Sequence, residues 1–347
     1  MPMVSRFARV RLIIFVFVLS IGIVILFRYY LVFRANNVAV EKGILIYIPT
    51  GASYSNVLSI FRGNKVLKDI SDFDRVSRHY GYEMAVKPGC YAIKPGMSNS
   101  AIARMLKYGH QKPVRVTFTS MRTWQQLAQR IASQLEADSA SLLNHFYSDT
   151  VARNRGFTPE TFMAMFIPNT YEFYWNTDAL GFINRMYREY NRFWNDARLQ
   201  KASAIGLSPV EVAILASIVE EETNIKSEMP IIAGVYLNRL HKGIPLQADP
   251  TVKFAVGDFS LKRILTRHLS VDSPYNTYRY RGLPPGPIRI PSVFTIDAVL
   301  SAQKHSYLYF CASPDFSGRH LFARTLTEHN RNAAEYRRAL NKQRIYR

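Results

Sequence analysis

Ser208-Pro209-Val210-Glu211-Val212-Ala213-Ile214-Leu215-Ala216-Ser217-Ile218-Val219-Glu220-Glu221-Glu222-Thr223 is the stretch from which the rest of the chain is best read. It opens with Ser at the N-cap, Pro at the first helical position and Glu at the third, a capping box followed by the one residue that loses nothing by lacking an N–H there. A helix is predicted to start at this point. Val212 to Val219 is apolar on every side apart from Ser217, so the helix belongs in a core rather than on a surface. The run then ends in three consecutive carboxylates. Glu222 follows Val219, Ile218 and Leu215 by three, four and seven residues and so extends an apolar stripe, whereas Glu220 stacks over Ala216 and Ser217. Glu222 is therefore expected to be the most desolvated of the three. Apolar surroundings and two like charges disfavour its ionised form, which is what a general acid near neutral pH requires. The competing reading is that three acids at a helix end mark its solvated exit.

Downstream, Asn238-Arg239-Leu240 closes a helix before Gly243, and Leu246-Gln247-Ala248-Asp249-Pro250-Thr251-Val252 reads as a polar turn. Ser273-Pro274-Tyr275-Asn276-Thr277-Tyr278 leads into Gly282-Leu283-Pro284-Pro285-Gly286-Pro287-Ile288, a loop whose prolines and glycines fix backbone geometry. Tyr and Asn side chains in such a loop suit a sugar site, with ring faces for pyranoses and amides for hydroxyl and N-acetyl groups. Gln247, Asp249, Tyr275 and Asn276 are the candidates for holding sugars. The competing reading of each is a turn-stabilising group. Tyr307 to Phe310 is predicted as a strand, followed by a Gly318 turn, His320-Leu321-Phe322 and Glu328-His329-Asn330, and the basic end from Arg331 to Arg347 fits a final helix with a solvated face.

Upstream, Leu12 to Phe27 is an uncharged run of Leu, Ile, Val and Phe that continues past Arg28 to Phe33, long enough for the roughly 20 residues that span a bilayer core. Arg6, Arg9 and Arg11 precede it, which favours a cytoplasmic amino terminus and an outward-facing remainder. A cleaved signal peptide is the rival, but no Ala-x-Ala-like site follows Phe27. Gly43 to about Phe118 reads as a small mixed module: strands at Ile44 to Ile48 and Gly89 to Ile93, helices at Tyr54 to Phe61 and Phe73 to Tyr82, and another opened by Ser98. Beyond it the chain turns mainly helical, with Thr123 to Leu135 and Ala179 to Leu199 as amphipathic helices. Between these lies the aromatic-dense stretch Phe166 to Tyr174, open to readings as packing around a turn or as sugar stacking. The expected organisation is α+β: a cytoplasmic start and membrane anchor at 1–36, a small α/β module at 43–118, and a mainly helical domain with interleaved strands at 119–347.

Forty-five Lys and Arg against 25 Asp and Glu give a formal charge of +20, which would draw nucleic acid, anionic lipid or a carboxylate-bearing wall polymer alike. The basic residues are spread out, with no zinc-finger spacing, no RNP-like signature and no lysine-rich arm, so nucleic acid is not expected as a partner. Cys90 and Cys311 stand far apart without a Cys-x-x-Cys and read as two small buried hydrophobes, a disulfide being the alternative outside the cytoplasm. No metal site is expected: there is no His-Glu-x-x-His, and His320 and His329 have no carboxylate at ligand spacing.

Taken together, Glu-x-Glu-Thr at 220, Asn-Arg-Leu at 238, Leu-Gln-x-Asp-Pro-Thr at 246, Tyr-Asn-Thr-Tyr at 275, Gly-Leu-Pro-Pro-Gly at 282, Tyr-Leu-Tyr-Phe at 307 and His-Asn at 329 resemble the endolytic murein transglycosylase family, MltG/YceG-like. The resemblance covers nearly the whole chain and implies that the 43–118 module is LysM-like and 119–347 is catalytic. It also implies that Glu222, the second acid of Glu-x-Glu-Thr, is the catalytic residue, in agreement with the stripe. The sequence departs from the pattern at Glu221, where the family often has Lys, and at Ala323-Arg324, where it often has Asn-Thr.

The implied reaction is cleavage of the bond between N-acetylmuramic acid and N-acetylglucosamine in peptidoglycan glycan strands, with no cofactor. Ordinary glycosidases need two carboxylates. Here the substrate's own C6 hydroxyl replaces the second, and an internal nucleophile is worth about 7–11 kcal/mol of barrier. An inner-membrane, single-pass protein with its catalytic part in the periplasm follows from the resemblance, as do peptidoglycan synthases as partners and a role in ending nascent strands. The alternatives are a non-enzymatic membrane-tethered wall-binding scaffold and, with an idle anchor and no lysine in a Schiff-base setting, a pyridoxal-phosphate lyase.

Overall fold

Helix starts follow the capping residues. In the computed structural model, which describes residues 6–261 and 264–342, the Ser208 hydroxyl accepts from the Glu211 amide (3.3 Å) and the Glu211 carboxylate from the Ser208 amide (2.8 Å). With Pro209 in the first turn, the central helix runs Pro209–Glu222. The first five residues of the expected cytoplasmic start and the last five of the basic tail lie outside the described residues.

The chain is a mixed helix-and-strand structure that divides into two units. The smaller takes the chain up to Val116 with Gln134–Glu136 and Glu172–Thr177. Its first helix, Arg6–Phe33, is the single helix among the described residues long and apolar enough to cross a membrane, with a mean hydropathy of 3.0 over its best window and no part of that window buried. Its end is tied down: Val32 is buried, and its carbonyl accepts from Asn99 Nδ2 at 2.8 Å. Strand β1 (Ile44–Ile48) pairs antiparallel with β2 (Gly89–Ile93), placing Ile46 opposite Tyr91. Helices Tyr54–Gly63, Ile70–His79 and Asn99–Tyr108 complete the unit, with a core that includes Ile48, Phe61, Phe73 and Tyr91. The second of these helices starts three residues earlier than its apolar pattern predicts because Asp69 Oδ1 caps it, accepting from the Ser71 (2.7 Å) and Asp72 (3.1 Å) amides.

In the larger unit, Val212 to Val219 of the central helix are all buried. Helices Met229–His241, Asp249–Val256 and Val293–Leu300 pack around them. Each fully buried Val, Leu or Ile is worth about 1.5–3 kcal/mol, so this helix is the fixed post of the unit. Its one polar core residue, Ser217, pins the Pro/Gly loop to the helix, with Oγ donating to the Ile214 carbonyl (2.7 Å) and accepting from the Ile288 amide (3.0 Å). Gly286 in that loop is required by proximity, since a Cβ there would sit 2.0 Å from the Glu160 carbonyl oxygen. Strands β3 (Val114–Phe118) and β4 (Asn169–Phe173) form one further two-stranded sheet. Strands β5 (Tyr309–Ala312) and β6 (His320–Ala323) form an antiparallel hairpin with Phe310 opposite Phe322.

Three further sequence expectations change, and one open reading is resolved. The predicted polar turn at Leu246 to Val252 becomes the helix Asp249–Val256, with Pro250 in its first turn. The long helix at Ala179 to Leu199 breaks into Ala179–Phe193 and Asp196–Ala204, because Asn195 Oδ1 caps a new start by accepting from the Arg198 amide (3.1 Å). The final helix begins at Leu326, ahead of the basic run. Phe166, Tyr171 and Phe173 are buried, Phe166 lying against Trp124 at 5.2 Å between ring centroids, so the stretch Phe166 to Tyr174 serves packing and leaves Tyr174 as its exposed aromatic. Both cysteines are free, Cys90 buried and Cys311 half-buried in β5.

Candidate active site

The central helix delivers its three carboxylates to different surroundings, with Arg289 lying between Glu220 (3.8 Å) and Glu221 (2.6 Å). Glu220 Oε2 accepts from the amide of Ser292 (2.6 Å), the N-cap of helix Val293–Leu300. Glu221 is gripped by two arginines: Arg122 donates through Nε (2.6 Å) and Nη2 (2.8 Å), and Arg289 through Nη1 (2.6 Å). Burial alone pushes the Glu221 carboxyl up, but the two guanidiniums outweigh it and hold it below the ordinary carboxylate value. The three acids are thus no solvated helix exit. Glu220 and Glu221 fasten the helix end to its neighbours, and so fix where Glu222 stands as well as adding to the field around it.

Glu222 is different. The hydroxyl of Tyr236 donates to its Oε1 at 2.5 Å. Burial raises the Glu222 carboxyl to about 7; the Tyr236 hydrogen bond opposes the rise, the charge of Asp249 adds to it, Lys253 opposes it and Glu221 adds to it. The same burial, with the Glu222 charge beside it, drives the Tyr236 phenol well above its ordinary value, so that hydroxyl stays a donor.

Glu222 and Tyr236 open onto a cleft of about 460 Å3 whose walls come from the central helix, helix Met229–His241, the start of helix Asp249–Val256 and the β5–β6 hairpin. Arg239 fastens these walls together. It is 5% exposed, with Nε and Nη2 donating to the Pro245 carbonyl (2.9 and 2.7 Å), Nη1 to the Leu308 carbonyl (2.9 Å) and Nη2 to Gln247 Oε1 (2.6 Å). Its guanidinium also lies over the Tyr309 ring, 5.3 Å from the centroid.

Of the sugar-binding candidates, Gln247 and Asp249 line this cleft with Glu222, whereas Tyr275 and Asn276 do not. Gln247 sits at φ 52°, an uncommon conformation for a residue with a side chain, held by its amide to the Thr277 carbonyl (3.1 Å). Asn276 is fully buried: its Nδ2 donates to the Leu269 (2.9 Å) and Val271 (2.8 Å) carbonyls and its Oδ1 accepts from the Tyr278 amide (3.1 Å), leaving nothing to offer a sugar. Tyr275 packs on Phe254, with centroids 4.6 Å apart, and faces a separate pocket. Thr277 braces the cleft from behind, its hydroxyl accepting from the Ala248 amide (3.0 Å) and pairing with Thr251 (2.8 Å). From the Tyr-Asn-Thr-Tyr run it is Tyr278 that reaches the cleft, donating to Asp249 Oδ1 at 2.6 Å.

Sequence reasoning missed two further groups. His320 lines the cleft and has a carboxylate after all, supplied by Glu228 from 92 residues away: Glu228 Oε2 lies 2.8 Å from His320 Nδ1, and Oε1 accepts from the His320 amide (3.0 Å). Glu228 is 4% exposed, so the imidazole orientation is set from inside the fold. Tyr236 was hidden because it lies two turns into a helix read only by its end; its position fourteen residues after Glu222 carries no pattern.

The sequence from 46 to 335 matches the YceG-like family. A Bacillus subtilis (strain 168) protein named endolytic murein transglycosylase is 31% identical over 309 residues, covering 84% of each chain. One of the same name from Streptococcus pneumoniae serotype 2 (strain D39 / NCTC 7466) is 26% identical over 330 residues, covering 85% of this chain and 59% of its own. A crystal structure of a yceG-like protein from Listeria monocytogenes superposes with a TM-score of 0.56 at 28% identity, covering 84% of this chain and 99% of the other. With both the sequence match and the shared architecture spanning most of its length, the chain belongs to the YceG-like family.

Proposed function

We propose that this protein is a peptidoglycan lytic transglycosylase, a lyase that cuts glycan strands within their length at the N-acetylmuramic acid–N-acetylglucosamine bond, with Glu222 as its catalytic acid. The observation that carries the reading is a carboxyl raised to about 7 in a cleft, hydrogen-bonded by Tyr236 and kept out of the arginine pairs that claim its neighbour. Such a group keeps its proton near neutral pH and can give it to the glycosidic oxygen as the bond to the anomeric carbon breaks. The resulting carboxylate then takes the proton of the muramyl C6 hydroxyl as that oxygen closes the 1,6-anhydro ring, which returns Glu222 to its starting state. No water enters. In this reading Gln247, Asp249 and Tyr278 hold the sugars against Glu222, with His320 on the hairpin side.

Asp249 supports a second reading, because a second carboxylate in the same cleft is what a hydrolase uses to activate water. The products separate the two. Mass spectrometry of purified glycan digested by the protein should find ends lighter by one water than reducing ends; reducing ends would instead make Asp249 a base and the enzyme a hydrolase. Glycan bound but uncut would favour the scaffold reading.

The same proposal puts the apolar helix in the inner membrane as a single span, the rest in the periplasm, the 43–118 module as a LysM-like glycan holder, and peptidoglycan synthases as the neighbours whose nascent strands are ended. Protease added from the extracytoplasmic side should digest the chain beyond Asn36 and leave the amino terminus attached to the membrane. A soluble product starting near residue 36 would mean a cleaved leader.

A further inference from the structure

The apolar helix Arg6–Phe33 enters the smaller unit without a spacer. A bilayer core of about 30 Å takes roughly 20 residues, which counted from Leu12 end at Leu31, and the next residue, Val32, is already buried. The junction is built from side-chain amides. Asn99 Nδ2 donates to the Val32 carbonyl (2.8 Å), Asn37 Nδ2 donates to Asn99 Oδ1 (2.7 Å) and to the Asp69 carbonyl (2.6 Å), and Asn37 Oδ1 accepts from the Asp69 amide (2.9 Å). Asn37 and Asn99 are both buried, so parting the helix from the module would strand their polar atoms.

The same contacts orient the module. The Phe33 ring, stacked on Tyr29 (4.5 Å), meets the ring of His79, the last residue of helix Ile70–His79, edge-on at 5.2 Å, while Asn37 holds Asp69 at the start of that helix. The chain leaving the apolar helix therefore runs back along Ile70–His79, whose C-terminal end points the way the chain came. Helix Asn99–Tyr108 lies the same way round: its first residue bonds Asn37, and Lys107 Nζ in its last turn donates to the Tyr80 carbonyl (2.6 Å). If Arg6–Phe33 spans a bilayer, the segments that follow these two ends, Tyr80 to Lys87 and Tyr108 to His110, are the ones turned toward lipid. The surface they present suits that place. Met84 is 88% exposed and Tyr108 59% exposed, and a thioether and a tyrosine ring are side chains that settle at the boundary of headgroups and acyl chains, as Tyr29 and Tyr30 do on the apolar helix itself. Lys87 is exposed with its stem against Gly109, and His79 and His110 are exposed on the same end. The acid there, Glu83, is paired with Arg78.

Resting on the reading of Arg6–Phe33 as a membrane span, we propose that this end of the module is a lipid-binding face. Met84 and Tyr108 sit in the headgroup layer, and Lys87, with Arg28 of the span, holds the phosphates of anionic phospholipid. The occupant is the bilayer that the helix crosses, because a headgroup layer about 5–8 Å deep begins where the helix leaves the core and no spacer lifts the face clear of it.

The test uses the full chain with Cys311→Ser, reconstituted in nanodiscs of phosphatidylcholine and phosphatidylglycerol and labelled with a fluorophore through Met84→Cys, Ser71→Cys or Leu19→Cys, Cys90 being buried. A quencher carried on lipid headgroups should quench the label at position 84 roughly fivefold more than the label at position 71, in the opposite end turn of helix Ile70–His79. Equal quenching at the two positions would overturn the face. The label at position 19, read with a quencher on the acyl chains, tests the span separately: strong quenching there with none at 84 keeps the span and removes the face, and no quenching at 19 removes the span and the face together. The headgroup quencher borne on phosphatidylglycerol should act on position 84 more strongly than the same quencher borne on phosphatidylcholine, and Lys87→Gln should cut that excess by roughly fivefold, the weight of one lysine at an anionic surface. Equal action of the two lipids, or an excess that ignores Lys87→Gln, would overturn the assignment to anionic phospholipid.

Discussion

Glu222→Gln is expected to slow glycan cleavage by about 100-fold to 10,000-fold, the range for losing a general acid or base, and at the same time to stabilise the fold above neutral pH. The two effects share a cause. The native carboxyl holds its proton to about pH 7, against 4.5 for the ordinary group, so between those values the folded protein binds more protons than the unfolded chain. Stability from this group is therefore full below about pH 4.5 and is lost as pH rises through 7. Gln carries no charge at any pH and keeps its Oε1 for Tyr236. The variant should match the parent in melting at low pH and exceed it above pH 7, by on the order of 2 kcal/mol after discounting the side of Glu222 that faces the cleft, or about 4–8 °C. In the parent, kcat/KM should fall as pH rises past about 7. Glu221→Gln should show the opposite pattern, with cutting largely retained and melting lowered by roughly 1–3 kcal/mol as Arg122 and Arg289 lose their shared partner. Glu220→Gln should resemble it more mildly. A Glu222→Gln variant that cut at the parental rate, or whose melting difference ignored pH, would remove Glu222 from the mechanism.

The central helix was legible because its start is chemical and its core is compositional: a capping box fixes residue 208, and eight successive buried residues leave no other place for it. The apolar stripe also sets Glu222 apart from its neighbours, and in the structure it is the carboxylate of the three that lines the cleft while the arginines hold Glu221. What the sequence could not supply was the partner on another element. Nothing at positions 122 or 289 announces a grip on Glu221, and Glu228 stands 92 residues before the His320 it orients. Within the Tyr-Asn-Thr-Tyr run, polarity suggested that Tyr275 and Asn276 face substrate, but the turn consumes every polar atom of the Asn276 side chain and the outward position falls to Tyr278. Loop residues were legible as a group and not one by one, since a strand or helix has a period from which direction is read and a Pro/Gly-punctuated turn has none. The same limit hid helix Asp249–Val256, whose opening Asp-Pro reads equally as a turn or as a helix start.

Arg239→Met is expected to cost about 3–5 kcal/mol, more than any other single substitution in the cleft, although Arg239 need never touch substrate. The side chain is buried, and desolvation already lowers its basicity. What offsets that cost is two backbone carbonyls and one amide oxygen, at Pro245, Leu308 and Gln247, converging on one planar guanidinium. Methionine fills similar space and leaves those acceptors without their donor; each buried polar group so stranded costs about 1–3 kcal/mol, with less than full additivity because they share one partner. For a unit of this size the loss is a melting decrease on the order of 10 °C. Lysine should rescue little, since a single ammonium cannot reach three acceptors that lie on different segments. Cleavage should fall further than stability alone explains, because Arg239 ties the Gln247 side chain and the start of the strand carrying Tyr309 to Ala312 to one guanidinium in the Glu222 cleft. Thermal melting and glycan digestion of the Met and Lys variants, compared at a temperature where both remain folded, check the argument: a Met variant melting within about a degree of the parent would mean that the loop and hairpin hold themselves in place, and that the cleft is not built around Arg239.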